Sequence, residues 1–163
     1  MFAVWLLPDM EDTKYLSGII KNLSQRYDAP EFLPHITVYG LVDPSLEVLE
    51  ECVRNSISDS KPFIVKKAGI DYSDDIWKTI FVNIEPNSNL NTINEELASK
   101  LGQYTKYEFV PHISLIYKKI EDVEKKEIID SLKIKNEFII DRIAIQKFSE
   151  NVYEWKIIRT YGF

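Results

Sequence analysis

Residues Glu31 to Val38 read EFLPHITV, and residues Glu108 to Leu115, 77 positions on, read EFVPHISL. The 163-residue chain contains two histidines, His35 and His112, and both occupy the same place in this repeat. In a strand, residues two apart share a face. His35 and Thr37 therefore point one way and Ile36 and Val38 the other, with His112 and Ser114 matched against Ile113 and Leu115. A duplication kept only for packing would preserve apolar and proline positions. It would not put His and a hydroxyl on the same phase in both copies, so the recurrence favours function.

Reading outward, Phe2 to Leu7 form an apolar run closed by Pro8, which predicts a buried strand. Tyr15, Leu16, Ile19, Ile20, Leu23 and Tyr27 then recur at helical spacing, with Asp12 or Thr13 as the cap and Pro30 beyond the end. After the first repeat copy, Pro44 and Ser45 open a helix continued by Leu46, Leu49, Val53 and Ile57. Strands over Lys61 to Tyr72 and Trp77 to Ile84 flank the polar turn Ser73-Asp74-Asp75. Leu90, Ile93, Leu97, Leu101 and Tyr104 mark a helix before the second copy. A charged helix from about Glu121 to Leu132 follows, with Val123, Ile128, Ile129 and Leu132 apolar, and strands near Phe138 to Lys147 and Tyr153 to Thr160 close the chain. The rhythm repeats by halves. Pro86, Asn87 and Ser88, near the midpoint, are the candidate boundary between lobes within one domain spanning residues 1–163.

If the halves pack about a pseudo-twofold axis, both imidazoles and both hydroxyls confront each other across a cleft. Histidine titrates near neutral pH, so one can take a proton while the other delivers one. Thr37 and Ser114 can donate hydrogen bonds to non-bridging phosphate oxygens as charge grows there. Hydrolysis of a phosphodiester uses all four groups.

Composition narrows the partners. With 26 acidic against 20 basic residues the formal charge is −6, which disfavours long nucleic acid but not a small anionic substrate. Two histidines without nearby cysteines or a His-Glu-x-x-His pattern supply too few ligands for a zinc site. Gly18, Gly40, Gly69, Gly102 and Gly162 form no phosphate-binding or dinucleotide pattern, so no metal and no cofactor is expected. Cys52 lies at helical spacing among Leu49, Val53 and Ile57, as a buried structural thiol in a reducing compartment would. The apolar run at the start is too short for a signal peptide or a membrane span. The expectation is a cytoplasmic monomer with no membrane partner.

HITV and HISL resemble the paired His-x-Thr/Ser-x motifs of the 2H phosphoesterase superfamily. VWLLPD, FLPHITV, FVPHISLIY, RIAIQKF and the closing Tyr153-Glu154-Trp155 further resemble, in order, segments of the plant and yeast type cyclic phosphodiesterases. The resemblance implies an α+β (α/β bilobal) fold, with two pseudo-symmetric lobes of mainly antiparallel sheet facing across a central cleft and helices outside. It implies an enzyme that opens ADP-ribose 1″,2″-cyclic phosphate or a nucleoside 2′,3′-cyclic phosphate to a monoester, with His35 and His112 catalytic and Thr37 and Ser114 on the phosphate. Tyr117 matches a family tyrosine near the phosphate, although strict alternation from His112 places it on the opposite face unless a bulge or the strand's end re-aims it. Trp5 and Trp77 match aromatics that line the nucleoside pocket, where an indole can stack on a base, while Trp155 reads as structural. The alternatives are the same chemistry on RNA 2′,3′-cyclic phosphate ends or on cyclic oligonucleotide signals, and a non-catalytic nucleotide-binding module.

Overall fold

Two passes of strand-helix-strand-helix-strand account for most of the chain, and a computed structural model describes all 163 residues. The first pass is β1 (Phe2–Pro8), α1 (Met10–Tyr27), β2 (Ile36–Val42), α2 (Leu46–Ser56) and β3 (Phe63–Tyr72). The second is β4 (Ile80–Ile84), α3 (Ser88–Leu101), β5 (His112–Ile116), α4 (Asp122–Ser131) and β6 (Glu137–Lys147), and β7 (Lys156–Gly162) ends the chain. The fold is α+β, with every strand pairing antiparallel. No helix is long and apolar enough to cross a membrane.

The strand order is β2-β1-β6-β3-β4-β5, with β7 added to β6, so the pair β2-β1 at one edge mirrors β5-β4 at the other. The joint is β6. Its first residues, Glu137 to Ile140, pair with β3, and from Ile140 onward it pairs with β1, joined by β7 from Arg142. The two lobes thus share one strand, and a single cluster of 32 buried apolar residues runs through both.

Several boundaries differ from the sequence expectation because polar side chains compete for the backbone. Helix α1 starts one turn earlier, capped by Asp9, whose carboxylate accepts from the Asp12 amide at 2.8 Å. Asp12 is instead buried against β6, where it accepts from the Ile139 amide at 2.7 Å and pairs with Lys135. The strand expected from Trp77 begins only at Ile80. Asp75 caps the Trp77 amide at 2.9 Å and Ser73 donates to the Lys78 carbonyl at 2.5 Å, winding Ile76–Lys78 into a 3-10 turn. Asn151 does the same at Val152–Glu154, so β7 starts at Lys156 rather than Tyr153.

Pro86, Asn87 and Ser88 do not separate lobes. Asn87 caps α3, and β4, just before it, pairs with both β3 and β5, so the same lobe lies on either side. In α4, Val123 is exposed while Lys125 is buried, the reverse of the expected stripe. The ammonium of Lys125 donates to the Ser73 carbonyl at 2.8 Å and pairs with Asp74 and Asp122, so it enters the interior with its donors satisfied.

Candidate active site

The two repeat copies form the edge strands of the two halves. His35 directly precedes β2 and His112 opens β5. Ile36, Val38, Ile113 and Leu115 enter the shared core, whereas His35, Thr37, His112 and Ser114 all line one cavity of about 360 Å³. The alternation read from the sequence holds, and the two polar faces meet.

Each imidazole is held in the same way. His35 Nδ1–H donates to the Leu33 carbonyl at 2.6 Å, and His112 Nδ1–H donates to the Val110 carbonyl at 2.8 Å. A carbonyl can only accept, so in the neutral rings Nδ1 carries the proton and Nε2 is the nitrogen left for the cavity. The His35 ring also lies flat on Trp5, with centroids 3.5 Å apart and planes 8° off parallel. Burial pushes the His35 pKa down to about 3, against the pull of the Leu33 bond and with a further lowering by His112. Burial also lowers His112, helped by Lys78 and opposed by the Val110 bond and Asp75.

After each motif the strand carries a bulge. On β5, Phe81 pairs with Ser114 but Ile80 with Ile116, so one step on β4 spans two on β5. Leu115 and Ile116 consequently both enter the core and the phase shifts by one, turning Tyr117 into the cavity. The bulge condition set by strict alternation is met. On β2, Val4 pairs with Tyr39 but Trp5 with Thr37, so Val38 and Tyr39 both go inward and Gly40 reaches the cavity. Gly40 and Tyr117 are therefore the same position of the two repeats, five residues after each histidine.

There the halves diverge. Tyr117 stacks on Phe32 with centroids 4.0 Å apart, and burial drives its phenol well above the usual tyrosine range. Gly40 is covered by Tyr107, whose hydroxyl donates to the Thr37 carbonyl at 3.2 Å and whose burial pushes its pKa up to about 12. A Cβ on residue 40 would sit 2.9 Å from the Tyr107 ring. Gly40→Ala is expected to displace that ring and loosen Thr37, costing about 1–3 kcal/mol and several-fold in any activity of the site. Thermal melts and steady-state kinetics check this, and adding Tyr107→Leu to make room should recover part of the stability.

Aromatic rings wall the rest of the cavity. Trp77 stands on the 3-10 turn, and its carbonyl accepts from Ser114 Oγ at 3.1 Å. Trp155, read from the sequence as structural, lines the cavity as well. It lies edge-on to Trp5 at 5.3 Å and near-parallel to Trp77 at 5.8 Å, with Nε1 donating to the Ser149 carbonyl at 2.7 Å. Tyr107, Phe148, Gln146, Asp75 and Lys78 also line the wall and were not anticipated. Lys78 is its one lysine or arginine, with the ammonium 4.4 Å above the Phe81 ring. Tyr107 directly precedes the second repeat copy, and Gln146 and Phe148 lie within RIAIQKF, so the signal for these three was their place beside or inside segments already singled out. Cys52 is half-buried against the core, outside the cavity wall, its thiol pushed up chiefly by burial. No group of three or more His, Cys, Asp or Glu side chains is arranged to hold a metal ion.

The model of the family described as the 2′-5′ RNA ligase superfamily matches residues 15–151. The chain is similar to the cyclic phosphodiesterase of Arabidopsis thaliana, 20% identical over 153 residues that cover 90% of this chain and 84% of that protein. Among solved structures it is similar to E. coli LigT complexed with 3′-AMP, at 12% identity and a TM-score of 0.62, covering 99% of this chain and 96% of that one. It is likewise similar to a protein of Thermus thermophilus, at 13% identity and a TM-score of 0.65, covering 99% of this chain and 96% of that one. These structural likenesses show the fold.

Proposed function

We propose, from the premise that the chain belongs to the 2′-5′ RNA ligase superfamily of 2H phosphoesterases, that it is a metal-independent cyclic phosphodiesterase. Its substrate is a small nucleotide, either ADP-ribose 1″,2″-cyclic phosphate or a nucleoside 2′,3′-cyclic phosphate, and its product a phosphomonoester. One observation carries this reading. Two imidazoles, each tied through Nδ1 to the carbonyl two residues upstream, leave Nε2 free toward one cavity, each with a hydroxyl on the same face. The name borne by the Arabidopsis relative supports cyclic phosphodiester chemistry. A cytoplasmic monomer that does not act on long nucleic acid belongs to the same reading, supported by the net charge of −6.

His35, the more strongly biased toward the neutral form, acts as base. Its Nε2 takes a proton from water as the water oxygen bonds to phosphorus. The bond from phosphorus to one ribose oxygen breaks, and His112 Nε2–H delivers a proton to that oxygen. Thr37 and Tyr117 hydroxyls donate to the phosphoryl oxygens, Ser114 does so once its proton turns from the Trp77 carbonyl, and Trp5 and Trp77 border the nucleoside. Solvent then resets both protons.

This assignment requires His35 neutral and His112 protonated, which fixes the pH dependence. In the free enzyme both pKa values lie below 6.5, so kcat/KM is expected to fall as pH rises through that of His112, on the acid side of 6.5. The bound phosphate anion stabilises the imidazolium, so the same limb in kcat moves to higher pH. Profiles of both constants between about pH 4 and pH 9 check the sign. An alkaline limb that lies lower in kcat than in kcat/KM contradicts it.

The deciding experiment follows product formation by chromatography in EDTA. The panel holds ADP-ribose 1″,2″-cyclic phosphate, nucleoside 2′,3′-cyclic phosphates, RNA with 2′,3′-cyclic phosphate ends and cyclic oligonucleotides. Turnover of a small cyclic phosphate in EDTA supports the reading. Silence across the panel from folded protein returns the cavity to a binding role.

A further inference from the structure

Gln146 is fully buried on β6, and its amide oxygen Oε1 has no hydrogen-bond partner. Its Nε2 donates to the Lys147 carbonyl at 2.6 Å. That bond fixes the amide, because turning it over would set two oxygens against each other and strand the nitrogen instead. Buried acceptors without a donor are rare and unfavourable in native proteins, so an orphan at a cavity calls for a physical reason.

Its position supplies one. Gln146 pairs across the sheet with Ala3, and the next same-face pair along these strands is Ala144 with Trp5. Residues directly opposite in a sheet share a face, so Gln146 stands beside Ala3, whose side chain ends at Cβ and leaves the amide next to the cavity. Trp5, Phe148 and Trp155 line the same cavity. A second recess of about 320 Å³ beyond Trp155 is also lined by Trp5, Gln146 and Trp155. An unpaired acceptor in an indole-lined wall, on an amide held by one of its N–H groups, is complementary to a flat aromatic ring that carries an N–H donor on its edge.

We infer that Gln146 Oε1 accepts a hydrogen bond from the exocyclic amine of the substrate's base, making Gln146 a specificity residue that selects amino-substituted bases. This rests on the cyclic-nucleotide reading above. The oxygen is closed off in this conformation, so it gains its donor only as the bound base displaces the side chains that cover it.

The test compares adenosine 2′,3′-cyclic phosphate with purine riboside 2′,3′-cyclic phosphate, which lacks only the amine, on the native protein and on Gln146→Met. Methionine nearly keeps the volume and removes the acceptor. The native protein is expected to favour the adenosine compound by about tenfold or more, chiefly in KM, and Gln146→Met to bring the ratio near one. Gln146→Met removes the unpaired acceptor and the bond to the Lys147 carbonyl together, so its melting temperature should stay near that of the native protein. A native ratio near one, or a preference that survives in Gln146→Met, overturns the assignment. If neither compound is turned over, the hydrolytic reading falls, and the comparison passes to calorimetric binding of 3′-AMP and purine riboside 3′-monophosphate. A preference for 3′-AMP that Gln146→Met loses supports the role of Gln146 there, and equal affinities overturn it.

Discussion

Alanine at His35 or at His112 is expected to lower turnover by about 10²- to 10⁴-fold while leaving the fold in place. Each imidazole reaches the cavity through Nε2, and each is oriented by a backbone carbonyl that the substitution does not remove. Neither variant takes part of the 32-residue core. The double variant should fall little below the worse single one, because an acid and a base acting in one step are not additive. Thr37→Ala and Ser114→Ala should lose less, since one hydroxyl is one of several donors around the phosphate. The check is kcat for each variant beside its melting curve and circular dichroism. Native-like turnover in either histidine variant removes the two-histidine mechanism, and a collapsed melting curve would assign the loss to folding instead. His35→Ala also strips the ring stacked on Trp5. His35→Gln, which fills more of that space, therefore serves as its control.

Phe138→Ala should produce the largest loss of stability, about 3–5 kcal/mol. The ring is fully buried on β6, opposite Val65 of β3 and 6.4 Å from Tyr15 of α1. It sits on the part of β6 that belongs to one lobe, just before the strand turns to pair with β1 of the other. A cavity there cannot be closed by moving one helix, since β6 is held by its ladder to β3 at this point and to β1 from Ile140 onward. For a chain of this length the melting temperature should fall by on the order of 10 °C. Total stabilities of about 5–15 kcal/mol leave the variant folded in the cold, where its activity can still be assayed. Phe138→Leu should cost markedly less. A Phe138→Ala loss below about 1 kcal/mol would mean that the ring does not fill the joint.

Much of this was legible in the chain. The repeat assigned both histidines and both hydroxyls to one face of their strands, and Ile36, Val38, Ile113 and Leu115 to the core. The helices read from Leu16, Ile20 and Leu23, from Leu49 and Val53, and from Leu90, Ile93 and Leu97 all bury those residues. These signals are local: a side chain's face follows from its own element's period. The four positions were readable because the same local pattern stands twice in the chain.

What the sequence by itself determined was the identity of the paired motifs and the face each turns to its neighbours. Only the tertiary structure decided what those faces meet. Tyr117 and Gly40 reach the cavity because bulges shift the strand phase, and a bulge is a mismatch between two strands that neither strand's sequence contains alone. Gln146 joins the wall because β6 pairs with β1, Trp155 joins it from the residue ahead of β7, which pairs with β6, and Lys125 is buried because Ser73, Asp74 and Asp122 converge on its ammonium. Those relations link positions far apart along the chain or on separate elements. They arise from register and packing between elements, to which the periodicity of any one segment is blind.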